Sequence, residues 1–214
     1  MTEFEKQFRE VQELLEFNDF NQTIKRVIDF TLDTENIDFY TKTNEFLNWL
    51  DHNEKEDEDK KTRLKTLLDE LHAFLSKKEC HNHQTIISVK NLQKVYNASF
   101  GLGPINLDIK TGEIIGLVGE NGNGKTTLLR SLCGELHPTS GTINYQFQYD
   151  DLYDLRTKLV YIPQRTDTWR GSMYENLEFT ASCYGYSPEE NNLVVDLVIT
   201  RLGLRKFRKH YWNN

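Results

Sequence analysis

A glycine-rich loop between an apolar segment and an amphipathic segment constrains this chain more than any other feature. Residues 119–126 read GENGNGKT and match the pattern G-x-x-x-x-G-K-[ST]. The apolar residues 114–118 before the loop predict a buried strand. Leucines at helical spacing after the loop predict a helix, namely Leu128, Leu129, Leu132 and Leu136. A strand, such a loop and a helix in this order predict a phosphate-binding P-loop.

The residue types in the loop explain how it would hold a nucleotide. Glycines let the backbone wrap closely around phosphates, and the N–H groups at a helix N-terminus carry partial positive charge. Lys125 would add a full positive charge at the β- and γ-phosphates, and the Thr126 hydroxyl would bind Mg²⁺. We therefore expect a nucleoside triphosphate with Mg²⁺. The residues assigned to cofactor binding here are Gly119, Glu120, Asn121, Gly122, Asn123, Gly124, Lys125, Thr126 and Thr127.

Charge and hydropathy patterns both change near residue 85. Residues 1–85 contain 12 Lys and Arg against 20 Asp and Glu, a net charge of −8, whereas residues 86–214 contain 14 against 13, a net charge of +1. Apolar residues in the first part recur at helical spacing and predict three or four packed helices. From residue 86 onward, alternating β-branched residues predict strands. We expect a small all-α domain over residues 1–85 and an α/β domain over residues 86–214. The all-α domain is expected to have a partner-docking or a regulatory role.

Composition excludes several classes of function. The acidity of the first part argues against direct binding of nucleic acid or anionic lipid. The longest apolar stretch is far shorter than the roughly 20 residues of a membrane span, and the N-terminus lacks the features of a secretory signal. Three widely spaced cysteines fit reduced thiols, so we expect a cytoplasmic protein. Residues 80–83 (CHNH) offer metal ligands but no second cluster, and we interpret them as a polar linker.

Several further stretches resemble motifs of the ATP-binding cassette (ABC) ATPases. They are residues 112–119 before and into the P-loop, residues 138–143 after its helix, residues 161–164 at the family's Q-loop, residues 173–179 at the start of its helical subdomain, and Tyr96. The resemblance extends from about residue 86 to residue 214. It implies an α/β fold with an ABC-type P-loop NTPase core, incomplete in this chain and preceded by the helical domain.

The resemblance assigns roles to residues outside the P-loop. Tyr96 falls where the family keeps an aromatic ring that stacks on adenine. Gln164 falls where the family has a catalytic glutamine that binds Mg²⁺ and lies near the transmembrane partner. Asn123 departs mildly from the small residue that often precedes the last loop glycine. These assignments imply Mg-ATP as the cofactor.

Motifs that the family places after its helical subdomain are not matched. These are the serine-glycine signature, a strand ending in Asp-Glu, and a switch histidine. Residues 193–196 (LVVD) and 67–70 (LLDE) imitate the acidic strand, but their helical spacing predicts helix. The basic cluster of Arg201, Arg205, Lys206, Arg208 and Lys209 is interpreted as a solvated helix face. We therefore expect this chain to be the N-terminal part of a longer ATPase. The complete protein would hydrolyse ATP to drive transport, whereas these 214 residues alone would bind ATP without hydrolysing it.

Three functions are compatible with these patterns. The favoured one is the ATP-binding subunit of an export-type ABC transporter, with a transmembrane permease and a second ABC domain in a nucleotide-sandwich dimer as partners. Such a subunit is cytoplasmic or peripheral on the inner face of the cell membrane. The alternatives are an ABC protein without a membrane partner that acts on ribosomes or nucleic acid, and a non-catalytic truncated nucleotide-binding module.

Overall fold

The computed structural model describes residues 2–52, 56–78, 84–97, 100–164 and 170–211. Its helices are α1 (Glu3–Glu16), α2 (Phe20–Asp33), α3 (Ile37–Asp51), α4 (Asp57–Leu75), α5 (Lys125–Leu132), α6 (Leu152–Lys158), α7 (Met173–Cys183) and α8 (Pro188–Arg201), with a 3-10 helix over Arg205–Phe207. Its strands are β1 (Thr85–Asn97), β2 (Phe100–Lys110) and β3 (Ser140–Tyr145). Four helices precede the first strand, which agrees with the predicted all-α domain. The later part contains both helices and strands, which agrees with the predicted α/β class.

Contacts divide the chain into two compact units. The helical unit comprises residues 1–79 and 167–214, and the sheet unit comprises residues 80–166. This division differs from the predicted domains, because the described residues 170–211 belong to the same unit as the N-terminal helices. The physical reason is apolar burial, since Val194 and Leu197 of α8 lie in the same core as the buried side chains of α1–α4.

The helical unit follows the predicted patterns closely. Phe8, Val11 and Leu15 are buried along α1, as their spacing predicts. The Asp19 side chain accepts a hydrogen bond from the Gln22 backbone N–H and caps α2. Capping boxes start α7 and α8, where a serine and the glutamate three residues later satisfy each other's backbone N–H groups. Residues 67–70 and 193–196 are helical, as predicted, within α4 and α8.

The sheet unit is built on an antiparallel sheet of three strands in the order β2-β1-β3. Val89 at the centre of β1 pairs with Leu107 of β2 and Ile143 of β3. Leu128 and Leu132 of α5 join the buried core of β1. Two other leucines of the predicted helix face behave differently. Leu129 is 41% exposed, and Leu136 lies beyond the end of α5.

The predicted buried strand over residues 114–118 is wrong for this structure. The segment has no strand geometry, and the side chains of Ile114 and Val118 are 100% exposed. The physical reason is the missing ladder, because within the described residues the sheet consists of β1, β2 and β3, and none of them pairs with this segment. Within the described ranges, no helix is long and apolar enough to cross a membrane.

Candidate functional site

The P-loop turns through two glycines with left-handed backbone conformations. Gly122 has φ +90° and Gly124 has φ +80°, in the region that favours glycine. A Cβ atom on Gly124 would lie 2.6 Å from Cδ1 of Leu102, whereas one on Gly122 would meet nothing within 4 Å. The loop is therefore packed against β2 at Gly124 and open at Gly122, so it leaves space for a ligand on the open side.

Lys125 is the first residue of α5 and folds back over the loop. Its Nζ donates hydrogen bonds to the carbonyl oxygens of Gly119, at 2.6 Å, and Glu120, at 2.8 Å. The ammonium group thus lies inside the curve of the loop, at the end of α5 whose N–H groups carry partial positive charge. Thr126 follows on the exposed first turn. This donor set and the open glycine backbone fit phosphate oxygens, and the Thr126 hydroxyl could hold Mg²⁺ there.

The core of the sheet unit holds α5 in place at its C-terminal end. The Tyr145 hydroxyl of β3 donates a hydrogen bond of 2.8 Å to the carbonyl oxygen of Leu132, the last residue of α5. Burial raises the pKa of Tyr145 to about 12, which favours the protonated phenol that donates this hydrogen bond. Together with the buried Leu128 and Leu132 side chains, this contact fixes the helix that carries Lys125 and Thr126.

The structure brings Tyr96 next to the P-loop helix. The Tyr96 hydroxyl lies 3.3 Å from the Thr127 hydroxyl, and the side chain is 49% exposed. The Phe100 ring lies beside it, with ring centroids 5.5 Å apart and planes 30° from parallel. The Nζ of Lys94 lies 5.8 Å from the Tyr96 ring centroid. A partly exposed ring at this position can present a face to a base bound beside the loop.

Phe100 was missed by the sequence analysis. It lies across the β1–β2 hairpin from Asn97, so the strand register brings it to Tyr96. The available signal was an aromatic residue four positions after Tyr96. Nothing in the spacing alone distinguishes such a residue from one that fills the core.

Gln164 is exposed and makes no hydrogen bond to the described residues. No described contact joins it to residues 119–127, so the structure does not bring the two predicted Mg²⁺ ligands, Gln164 and Thr126, together. Its position follows from the lack of strand pairing over residues 159–163, which leaves Val160 and Ile162 exposed. The histidines and cysteine of residues 80–83 lie outside the described residues.

Comparison with known proteins identifies the family. The family model described as ABC transporter matches residues 102–214, which is more than half of the chain. The chain belongs to the ABC transporter family. The match confirms the resemblance inferred from the motifs, and it continues through α7 and α8 although these helices pack in the helical unit.

Relatives of this ABC chain include proteins of opposite transport direction. This chain is 35% identical over 130 residues to a methionine import ATP-binding protein of Acinetobacter baylyi, and the alignment covers 55% of this chain and 36% of that protein. It is 42% identical over 83 residues to a vacuolar heme ABC transmembrane exporter of Schizosaccharomyces pombe, covering 37% of this chain and 6% of that protein. The chain therefore spans a minor part of the length of these relatives, and their names do not separate import from export.

A similar solved structure is that of cbiO1 of Clostridium perfringens, described as part of the ABC transporter complex cbiONQ. It has 25% sequence identity and a TM-score of 0.47, and the alignment covers 59% of this chain and 53% of that one.

Proposed function

We propose that this chain is the ATP-binding part of an ABC transporter and that it binds Mg-ATP through residues 119–127. The observation that carries the proposal is the P-loop geometry within a chain of this family. Gly122 has a left-handed backbone conformation and open space beside it, and the Lys125 ammonium lies in the curve of the loop.

Each group has a separate task in this proposal. Backbone N–H groups at the start of α5 bind phosphate oxygens, and Lys125 transfers its hydrogen bonds from the loop carbonyls to the β- and γ-phosphates. Thr126 holds Mg²⁺ through its hydroxyl, while the ring of Tyr96 stacks on the base. Gln164 would be a further ligand of the metal, as the family resemblance implies. Bound Mg²⁺ would neutralise charge on the phosphates during hydrolysis in the complete protein.

Membership of the ABC transporter family supports a proposal about partners. We propose that the complete protein works with a transmembrane permease and pairs its ABC domain with a second one around the nucleotide. That arrangement places the chain in the cytoplasm, at the inner face of the cell membrane. The names of the relatives concern transport, which favours a transporter over a ribosome- or nucleic-acid-associated ABC protein. Export-type specificity stays a prediction.

Replacing Lys125 tests the proposal directly. Lys125→Ala should weaken binding of a fluorescent Mg-ATP analogue about 10- to 150-fold, because a charge-assisted contact to the phosphates contributes roughly 1.5–3 kcal/mol. Lys90→Ala is the matched control, since Lys90 is an exposed lysine on β1 of the same unit. Its affinity should equal that of the wild type. Equal affinity in all three proteins would show that the loop does not bind the nucleotide phosphates.

A further inference from the structure

Helix α8 is far from the N-terminal helices in sequence but shares their core. It contacts α2 and α3, and its Val194 and Leu197 side chains are 6% and 0% exposed. Tyr186, in the turn before α8, also packs on this core. Burial of these side chains removes apolar surface of both partners from water, which favours their association.

Hydrogen bonds and ion pairs fix the orientation of α8 on α2 and α3. The Arg201 guanidinium donates two hydrogen bonds to the carboxylate of Asp29 on α2, of 2.5 Å and 3.0 Å. The Asn44 side chain on α3, which is 7% exposed, donates a hydrogen bond of 3.1 Å to the carbonyl oxygen of Leu193. A bidentate arginine–carboxylate pair fixes orientation as well as distance. These contacts therefore specify one way for α8 to lie on α2 and α3.

Three arginines of the basic cluster form ion pairs, contrary to the sequence-based interpretation of a solvated face, whereas Lys206 and Lys209 are exposed as that interpretation predicts. Arg201 pairs with Asp29, Arg205 pairs with Asp51 at 2.8 Å, and Arg208 pairs with Asp196. Two of these three arginines thus pair with acidic residues of the N-terminal helices. Opposite charges therefore meet at two points of this contact, at Asp29 of α2 and at Asp51 of α3.

We propose that the N-terminal helices are an intrachain docking platform for the helical segment of the ABC region. The partner of the α2–α3 surface is then the segment 187–205 of the same chain. In this arrangement α2 and α3 hold α8 through an apolar core bordered by the Asp29–Arg201 and Asp51–Arg205 pairs. The inference does not depend on nucleotide binding, because its residues all lie in the helical unit.

Charge exchange across the Asp29–Arg201 pair tests the docking in the full chain. The variants are Asp29→Arg, Arg201→Asp and the double exchange, with Asp69→Arg as the matched control. Asp69 is exposed on α4 and forms no ion pair with the described residues. Because Asp69→Arg is also an aspartate-to-arginine substitution, it changes the net charge by the same amount as Asp29→Arg. Hydrogen–deuterium exchange of α8 is the local measurement, and thermal unfolding is the global one.

Docking predicts a specific pattern across these variants. Asp29→Arg should speed amide exchange in α8 about tenfold and lower the melting temperature by roughly 4–8 °C, although the substitution is more than 150 residues away in sequence. The double exchange should recover at least half of both effects, and Asp69→Arg should leave α8 exchange unchanged. Unchanged α8 exchange in Asp29→Arg, or no recovery in the double exchange, would overturn the proposal, whatever happens to the melting temperature.

Discussion

Gly124 is the residue at which the P-loop combines two constraints. Its φ of +80° is unfavourable for any side chain, and a Cβ atom would lie 2.6 Å from Leu102 Cδ1. At Gly122 only the backbone conformation is unfavourable for alanine, because φ is +90° and nothing lies within 4 Å of an added Cβ atom. Gly124→Ala should therefore lower the free energy of unfolding more than Gly122→Ala, which should cost about 1–2 kcal/mol. Urea unfolding measures both.

Leu102 provides the control for this comparison. Combining Gly124→Ala with Leu102→Ala should bring the cost of the glycine substitution down to that of Gly122→Ala, because the crowded methyl group is then gone. The free energy is compared against Leu102→Ala alone. A cost for Gly124→Ala that is the same with and without Leu102 would contradict the packing described for the loop.

Tyr96 is expected to recognise the base and not the phosphates. Tyr96→Ala should weaken ATP binding, because it removes a partly exposed ring beside α5, but it should leave competition by inorganic tripolyphosphate nearly unchanged. Tyr96→Phe should bind ATP almost normally, since stacking needs the ring and the 3.3 Å contact to Thr127 is a weak one. Competition titrations with both ligands measure this. Normal ATP affinity of the Ala variant would assign the ring to the hairpin alone.

Residues differ in how far the sequence predicts them. The roles of Gly122, Gly124 and Lys125 could be proposed from the sequence, because their spacing and backbone requirements are local. Phe100 could not, because its place beside Tyr96 depends on the register of the β1–β2 hairpin. Gln164 was assigned by family resemblance, and its exposed position here leaves that assignment a prediction.

Elements show the same contrast between local and distant causes. Helices α1 to α4 follow from apolar residues at helical spacing, since the hydrogen bonds of a helix lie within its own segment. A strand instead needs a neighbour with which to pair. Residues 114–118 have the composition of a buried strand, but they lack a pairing partner in the part of the chain that the structure describes. Composition alone could not predict this outcome.

Two identical substitutions separate a paired strand from an unpaired segment. Val89 is 2% exposed at the centre of β1, whereas Val118 is 100% exposed. Val89→Ala should lower the free energy of unfolding by about 1.5–3 kcal/mol through lost burial and an unfilled space. Val118→Ala should change it by less than about 0.5 kcal/mol. Chemical denaturation measures both, and a comparable loss at Val118 would restore the predicted buried strand.

At the scale of the whole molecule, family and packing divide the chain in different places. The family match runs through residues 102–214, whereas packing groups residues 167–214 with the N-terminal helices. A sequence boundary near residue 85 reflects the change in composition and charge. The packing boundary reflects contacts such as Asp29–Arg201, which join residues more than 150 positions apart and leave no periodic pattern in the sequence. The elements can therefore be predicted from local patterns, whereas their grouping depends on such distant contacts.

The last prediction concerns ATP turnover by the whole chain. Binding needs the P-loop, but hydrolysis also needs a carboxylate that orients water and groups that stabilise charge on the γ-phosphate. The motifs to which the family resemblance assigns those tasks are not matched within residues 1–214. We therefore expect the purified chain to bind Mg-ATP without significant turnover, as measured by phosphate release, with Lys125→Ala as the background control. Phosphate release at an ordinary enzymatic rate, abolished by Lys125→Ala, would locate a complete hydrolytic site within these 214 residues.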